Sequence, residues 1–366
     1  MFKRVANVYS ILVLLAIGII TGASAEAASS LPKIRVGIIQ EGAVRPALVV
    51  VAQSLGYYEE EGVDVEFVYI DGGGTAWTSI EAGNLDVYPY AVCTPLSVIS
   101  QNGDFVIFAG TATEGSSVVV NDKVGDVDFS DYRNWAGKKI GVEVIAESET
   151  LPLIREDLKA IGVLDQVEFV VIDDAQARLE ALRKGAIDAA TLTEERVAIA
   201  KELGLKEAFP IGEKYPGYVC CRQTTSFKSL KEKRESYVKY LKAQIRAYRD
   251  YKLNTEVVVR SLAKFLKVEP EFVRNYIATP KDKTTNGEFV NFKNQVNPDP
   301  AFNKVERLYK GLLAEKVLVE EEGVKLKDHF NISIFKEALD DLLKEYPDDK
   351  VYKEVAANYA LNNSDF

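Results

Sequence analysis

The sequence predicts an α/β protein of two lobes, each a mostly parallel sheet flanked by helices, with extra helices at the C-terminus. Three observations predict it. Short apolar runs alternate with helical patterns up to about Gly217, the order strand, helix, strand, helix, strand occurs twice, and beyond Gly217 helical patterns dominate. The 366 residues, 47% of them apolar, suffice for two ordinary cores and exclude disorder.

Residues 1–25 form a targeting segment. Lys3 and Arg4 precede an apolar run from Ile11 to Ile20, and Ala23-Ser24-Ala25 supplies the small residues that signal peptidase accepts. The run falls well short of the roughly 20 residues that cross a bilayer. No cysteine follows it to take a lipid. A cleaved signal, an exported soluble chain and no lipoprotein anchor are therefore expected.

The mature chain opens on the strand Ile34-Arg35-Val36-Gly37-Ile38-Ile39, followed by a polar turn, Pro46 at a helix start and an apolar helix that Gly56 stops. Val63 to Ile70 is the next strand. Asp71-Gly72-Gly73-Gly74-Thr75 turns into a helix that Gly83 caps, and Leu85-Asp86-Val87-Tyr88 starts a third strand. The second copy begins at Lys139-Ile140-Gly141-Val142, continues with a helix from Thr150 to Ile161, and then reads Val167-Glu168-Phe169-Val170-Val171-Ile172-Asp173. That segment nearly repeats Val65-Glu66-Phe67-Val68-Tyr69-Ile70-Asp71 at an offset of 102 residues, and Gly185-Ala186-Ile187-Asp188-Ala189 repeats Gly83-Asn84-Leu85-Asp86-Val87 at the same offset. Two matches in one register indicate duplicated units. The tail reads as helices over 230–251, 257–266, 270–278, 301–314, 334–344 and 352–361, with a polar connector over 286–300.

Charge and rare residues then remove function classes. The 45 Lys+Arg against 55 Asp+Glu give a net charge of -10, which argues against a phosphate-binding surface and so against nucleic acid. Removing Lys3 and Arg4 with the signal leaves 43 against 55, or -12. The only histidine, His329, lies among charged residues near the C-terminus, which excludes a His-rich metal site and opposes a Ser-His-Asp triad. No catalytic residue, metal or cofactor is expected. Of the three cysteines, Cys220 and Cys221 are neighbours, and Cα atoms about 3.8 Å apart lie below the usual disulfide range. Buried free thiols are expected, with a bridge from Cys93 to either left open.

In parallel sheets ligands bind beyond the carboxyl ends of the strands, where helix N-termini present free amides. In the first copy that edge offers Gln40 and Arg45, then Gly73, Gly74 and Thr75, then Tyr88, Tyr90 and Thr94. The second offers Glu147, Ser148 and Thr150, then Asp173 and Asp174, then Thr191 and Thr193. The three-glycine turn lets backbone amides approach a polar group, but it lacks the P-loop lysine and the dinucleotide spacing. Trp77, Tyr88, Tyr90 and Tyr218 could form stacking walls, and Arg45 could fork onto a carboxylate or sulfonate. Glu143, Glu147, Glu149, Glu194 and Glu195 crowd the second edge; one facing inward would favour an amine or a protonated heterocycle. Ligand charge stays open.

The segments Leu55 to Val65, Ala82 to Val87 with Pro95 downstream, Trp135-Ala136-Gly137-Lys138-Lys139-Ile140-Gly141-Val142, Leu182 to Ala190, and Tyr346-Pro347-Asp348-Asp349 together resemble the solute-binding proteins of nitrate, sulfonate, taurine and thiamine-precursor ABC importers, over essentially the whole mature chain. The resemblance implies the type II periplasmic-binding-protein fold. Lobe I would take 33–117 with 222–366 and lobe II 118–221, joined by crossings near Glu114 to Val118 and Tyr218 to Arg222. A monomer in the periplasm would close by hinge bending on a small-molecule ligand such as a sulfonate, taurine or nitrate, then engage the permease and ATPase subunits. Gln40, Arg45, Gly73, Gly74, Thr75, Tyr88, Tyr90, Thr94, Ser148, Thr150, Thr191 and Tyr218 are the candidate ligand residues. The cysteine cluster and histidines of the thiamine-pyrimidine members are missing. Two alternatives stand beside the receptor: an enzyme resembling the thiamine-pyrimidine synthases, and a ligand-sensing receptor domain.

Overall fold

A computed structural model describes residues 31–40, 44–70, 73–121, 124–145, 148–277 and 295–366. The secretory signal, Glu41, Asp71, Gly72, Glu147 and most of the 286–300 connector lie outside the described residues.

The first unit consists of β1 (Lys33–Ile38), α1 (Ala47–Ser54), α2 (Tyr57–Glu60), β2 (Asp64–Tyr69), α3 (Gly73–Glu81) and α4 (Cys93–Ser100). Next come β3 (Val106–Thr113), β4 (Ser116–Val120), β5 (Lys139–Val142), α5 (Leu151–Ala160), β6 (Glu168–Val171), α6 (Ala175–Lys184), β7 (Ala189–Thr193), α7 (Glu194–Glu202), β8 (Lys206–Pro210) and β9 (Val219–Thr225). The tail holds α8 (Phe227–Glu232), α9 (Arg234–Leu253), α10 (Thr255–Leu266), α11 (Pro270–Tyr276), β10 (Gln295–Val296), α12 (Phe302–Ala314), α13 (Ser333–Glu345) and α14 (Lys350–Asn362). The helix expected over 230–251 is two: the chain leaves helical geometry at Lys233 (φ -120°, ψ 24°) between α8 and α9.

β1 and β2 pair in parallel, β10-β3-β9 form an antiparallel sheet, and a five-stranded sheet has the order β6-β5-β7-β4-β8. In that sheet β5 is parallel to β6 and β7, while β4 runs antiparallel to β7 and β8. The third strand expected at 85–88 is present only as bridges, Val36 to Val87 in parallel and Tyr88 to Thr224 antiparallel. The segment leaves β1 after one pairing because β9 captures its next residue, and this joins the two smaller sheets.

The duplication is visible in individual bonds. The backbone N–H of Arg35 donates to Asp86 Oδ2 at 2.8 Å, and that of Lys139 donates to Asp188 Oδ2 at 2.8 Å. A Cβ on Gly37 would lie 2.9 Å from Leu85 Cδ2, and one on Gly141 would lie 2.4 Å from Ile187 Cδ1. Each copy thus needs glycine where the apolar residue before its aspartate crosses the first strand. The helix ends match too, with Gly83 at φ 72° and Gly185 at φ 75°.

Both faces of the five-stranded sheet are covered. Val118, Val120, Ile140 and Val142 face one buried cluster and Val119, Ala190 and Leu192 the other, as the period of two requires. The largest core lies around β1, α1, α9, α10 and α13, where Tyr58 stacks on Tyr240 at 5.2 Å. Among the described residues no helix is long and apolar enough to cross a membrane.

The chain passes between the three-stranded and five-stranded sheets twice, through Glu114-Gly115 and again through 211–218. Glu114 adopts φ 61°, a left-handed conformation that costs a non-glycine residue energy and persists only when surroundings fix it. Here the fixing is visible. Glu114 N donates to Tyr218 O at 3.1 Å, and Gly217 N donates to Glu114 Oε1. From α12, Lys304 Nζ donates to Gly217 O at 3.0 Å, while Arg307 pairs with Glu156 of α5 at 2.9 Å.

Candidate functional site

Where these crossings meet the carboxyl ends of β5 and β7, side chains from several elements surround one small cavity. Thr191, Leu192 and Thr193 end β7, Glu143 follows β5, Glu149 and Thr150 precede α5, and Arg178 stands in the first turn of α6. Glu114, Ser116, Tyr218 and Cys220 come from the crossings and their strands, and Arg45 from the turn before α1. About 30 Å³ is open inside, room for about two water molecules. Glu149 and Tyr218 also border a second cavity of about 150 Å³ toward Leu153, Tyr215, Lys304 and Leu308.

Arg178 is 3% exposed. Its Nη1 donates to Ile172 O at 2.6 Å and Asp173 O at 3.0 Å, its Nη2 lies 3.7 Å from Glu143, and its Nε is buried without a hydrogen bond. Arg45 Nη1 lies 3.1 Å from Cys220 Sγ. The Tyr218 hydroxyl, beside Ser116, is buried without a well-directed bond. Glu149 has no cation at ion-pair distance among the described residues. Removal from water, with Cys220 and Glu143 close by, pushes its carboxyl well above the usual range.

Of the residues expected at the ligand edge, the structure brings Arg45, Thr150, Thr191 and Tyr218 together around the cavity. The others have local roles. Gln40 Nε2 donates to Phe265 O in α10 at 2.9 Å. Gly73, Gly74 and Thr75 form the first turn of α3, where Thr75 O accepts from Ser79 Oγ at 2.7 Å. Trp77 packs edge-on to Tyr88 at 4.7 Å, and Tyr88 against Tyr90 at 4.9 Å. The Tyr90 hydroxyl is held by the Ile39 backbone, accepting from N at 2.9 Å and facing O at 3.1 Å. Thr94 sits half-buried in the first turn of α4, and Ser148 Oγ accepts from Leu151 N at 3.1 Å at the start of α5. Ser116 and Arg178 join the cavity without having stood out in the sequence: one enters with the antiparallel β4, the other is four residues beyond the Asp174 cap of α6.

His329 is remote from this lining. Its Nδ1 contacts Phe105 O at 3.0 Å and its ring packs on Phe227 at 5.3 Å.

Residues 45–256 match the family described as NMT1/THI5 like. The chain belongs to that family. No curated protein matches the sequence. Among solved structures, the NMT1/THI5-like chain is similar to the periplasmic nitrate-binding protein NrtA of Synechocystis PCC 6803, at TM-score 0.64 and 15% identity over 86% of this chain and 89% of that one. It is also similar to the periplasmic aliphatic sulphonate binding protein SsuA of Escherichia coli (TM-score 0.62, 11% identity, 82% and 97% covered). A desulfurization enzyme, DSZB, shares the fold as well (TM-score 0.59, 16% identity, 85% and 99% covered). At such identities the likeness is one of fold, and the NMT1/THI5-like chain has the periplasmic-binding-protein fold.

Proposed function

We propose that this chain is the extracytoplasmic solute-binding component of an ABC importer, carried to the periplasm by a signal cleaved after Ala25 and working there as a monomer without catalysis. It takes up one small molecule between lobe I (33–117 with 222–366) and lobe II (118–221), closes by bending at the two crossings, and delivers the solute to a membrane permease. The observation that carries the reading is the cavity beside both crossings, with a buried Arg178 Nε left without a hydrogen bond and a Tyr218 hydroxyl left without a well-directed one. Buried polar groups are costly to leave unpaired, and a solute can supply the partners. With room for about two water molecules the cavity must widen to admit an organic molecule, which fits a hinge-bending receptor.

Of sulfonate, taurine and nitrate, the lining favours the aminosulfonate. Arg45 and Arg178 suit an acidic group, while Glu149 suits an ammonium, whose charge would restore the ionised carboxylate. The non-catalytic reading rests on the position of the sole histidine, away from the cavity. Thermal-shift titration with taurine, ethanesulfonate and nitrate tests both parts. At equal concentrations taurine is expected to stabilise most, reaching about 2.7 kcal/mol at 100 times its dissociation constant. Silence from all three would remove the ligand class, and conversion of taurine during incubation would overturn the receptor.

A further inference from the structure

Consecutive side chains on a regular strand point to opposite faces, so neighbouring cysteines there keep their sulfurs apart. Cys220 and Cys221 do not. Their Sγ atoms lie 3.0 Å apart, both residues are free and buried, and Arg45 Nη1 stands 3.1 Å from Cys220 Sγ. The cause is a break in the ladder between β3 and β9: Ala112 pairs with Cys221 and Thr113 with Val219, so Cys220 is the extra residue of a bulge. The bulge turns both thiols toward the small side chain of Ala112 and leaves Cys220 in the cavity wall.

We propose that Cys220 and Cys221 are a redox-active vicinal dithiol, a thiol modification site in the wall of the solute cavity that closes to an intrachain disulfide by exchange with a small disulfide. Three features support it. The Arg45 guanidinium faces the sulfurs and stabilises a thiolate there. The bond between the two thiols lowers Cys221 and raises Cys220, so the first thiolate forms on Cys221. The Cα spacing of adjacent residues, about 3.8 Å, makes the product strained and easily reduced, as a reversible modification requires.

The exchange balances. The Cys221 thiolate attacks one sulfur of the small disulfide and expels a thiolate, leaving a mixed disulfide on Cys221. Cys220 loses its proton to that leaving group and attacks Cys221 Sγ, expelling the second thiolate. Two protein thiols are oxidised and one external disulfide is reduced to two thiols. Oxidation also removes the thiols that can ionise beside Arg45, so no sulfur charge can then oppose an acidic solute in the cavity. That last consequence rests on the solute-receptor reading; the redox chemistry does not.

The test uses the reduced mature chain and glutathione disulfide, with acid quenching, iodoacetamide, intact mass and peptide mapping. The expected product is lighter by two hydrogen atoms, retains no glutathione, carries its linkage within the 220–221 dipeptide and leaves Cys93 alkylated. Arg45→Gln is expected to slow the reaction about tenfold, with recovery in Arg45→Lys, which restores a positive charge. Alkylation of both thiols after native exposure, a glutathione adduct that persists, or a bridge to Cys93 would each overturn the proposal. So would equal rates in wild type and Arg45→Gln. Oxidation without any response to taurine, ethanesulfonate or nitrate would uphold the dithiol while counting against the solute reading.

Discussion

Arg35 and Lys139 hold equivalent places in the two copies of the duplicated unit, as do Asp86 and Asp188, yet the pairs differ in surroundings. Asp86 is buried, held by Arg35 Nε at 3.0 Å and Lys233 Nζ at 2.8 Å. Asp188 stays near the surface, 3.8 Å from Lys138. The cavity is just as uneven. Subtracting the strand offset of 104 from Glu143 gives Ile39; subtracting 102 from Arg178, Thr191 and Thr193 gives Ala76, Pro89 and Ala91. Polar groups line the cavity in one copy where the other has apolar ones. The duplication therefore repeats a frame with unequal surroundings: the first copy is packed under the tail helices, and the second supplies most of the side chains that line the cavity.

Asp86→Ala should show the largest effect, a loss of about 3–5 kcal/mol in denaturant unfolding, because two basic groups lose their buried partner. Asp188→Ala should cost about 1 kcal/mol. Equal losses would erase the contrast. Burial alone would raise the Asp86 carboxyl, but its bonds from Arg35 and Lys233 win and hold it below the usual range. A carboxyl lowered on folding contributes stability above its unfolded pKa that is lost as pH falls through its folded value. Wild-type stability should thus drop below about pH 4, and Asp86→Asn should flatten that part of the profile.

Recognition comes next in size. Thr191→Val should weaken taurine binding by about 1–3 kcal/mol in calorimetry, whereas Tyr88→Phe in the first copy should leave it unchanged. Glu149→Gln should weaken taurine and spare ethanesulfonate; a matched loss of both would remove the ammonium contact. Smallest is the glycine pair. Gly141→Ala should destabilise by about 1 kcal/mol, more than Gly37→Ala, since its added methyl meets a closer side-chain atom that can swing partly away.

Much of the frame was legible because it rests on local chemistry. The repeated Gly-x-apolar-Asp segment, strands at fixed offset and glycine-stopped helices are all written in adjacent residues. The cavity was legible where a strand end or helix start announces itself, as at Thr150, Thr191 and Arg45. Ser116 and Arg178 were not, since their places depend on β4 inserting antiparallel beside β7 and on how α6 leans. Of the aromatic rings only Tyr218 lines the cavity; Trp77, Tyr88 and Tyr90 pack on one another instead, which spacing along the sequence does not reveal. The two-copy count also could not reveal that the strand at 85–88 would be shared with β9.

Glu114 joined to Tyr218 and Gly217 makes the two crossings a single strap. Two separate tethers would let the bodies they connect roll, slide and twist. Lacing the crossings together ties the two sheets through one joint rather than two. Lys304 reaches that strap from outside, at the carbonyl oxygens of Pro216 and Gly217. The helix α12 is therefore bonded to that joint through Lys304 and to α5 through Arg307 and Glu156, so one helix grips the strap and the five-stranded sheet's own helix together.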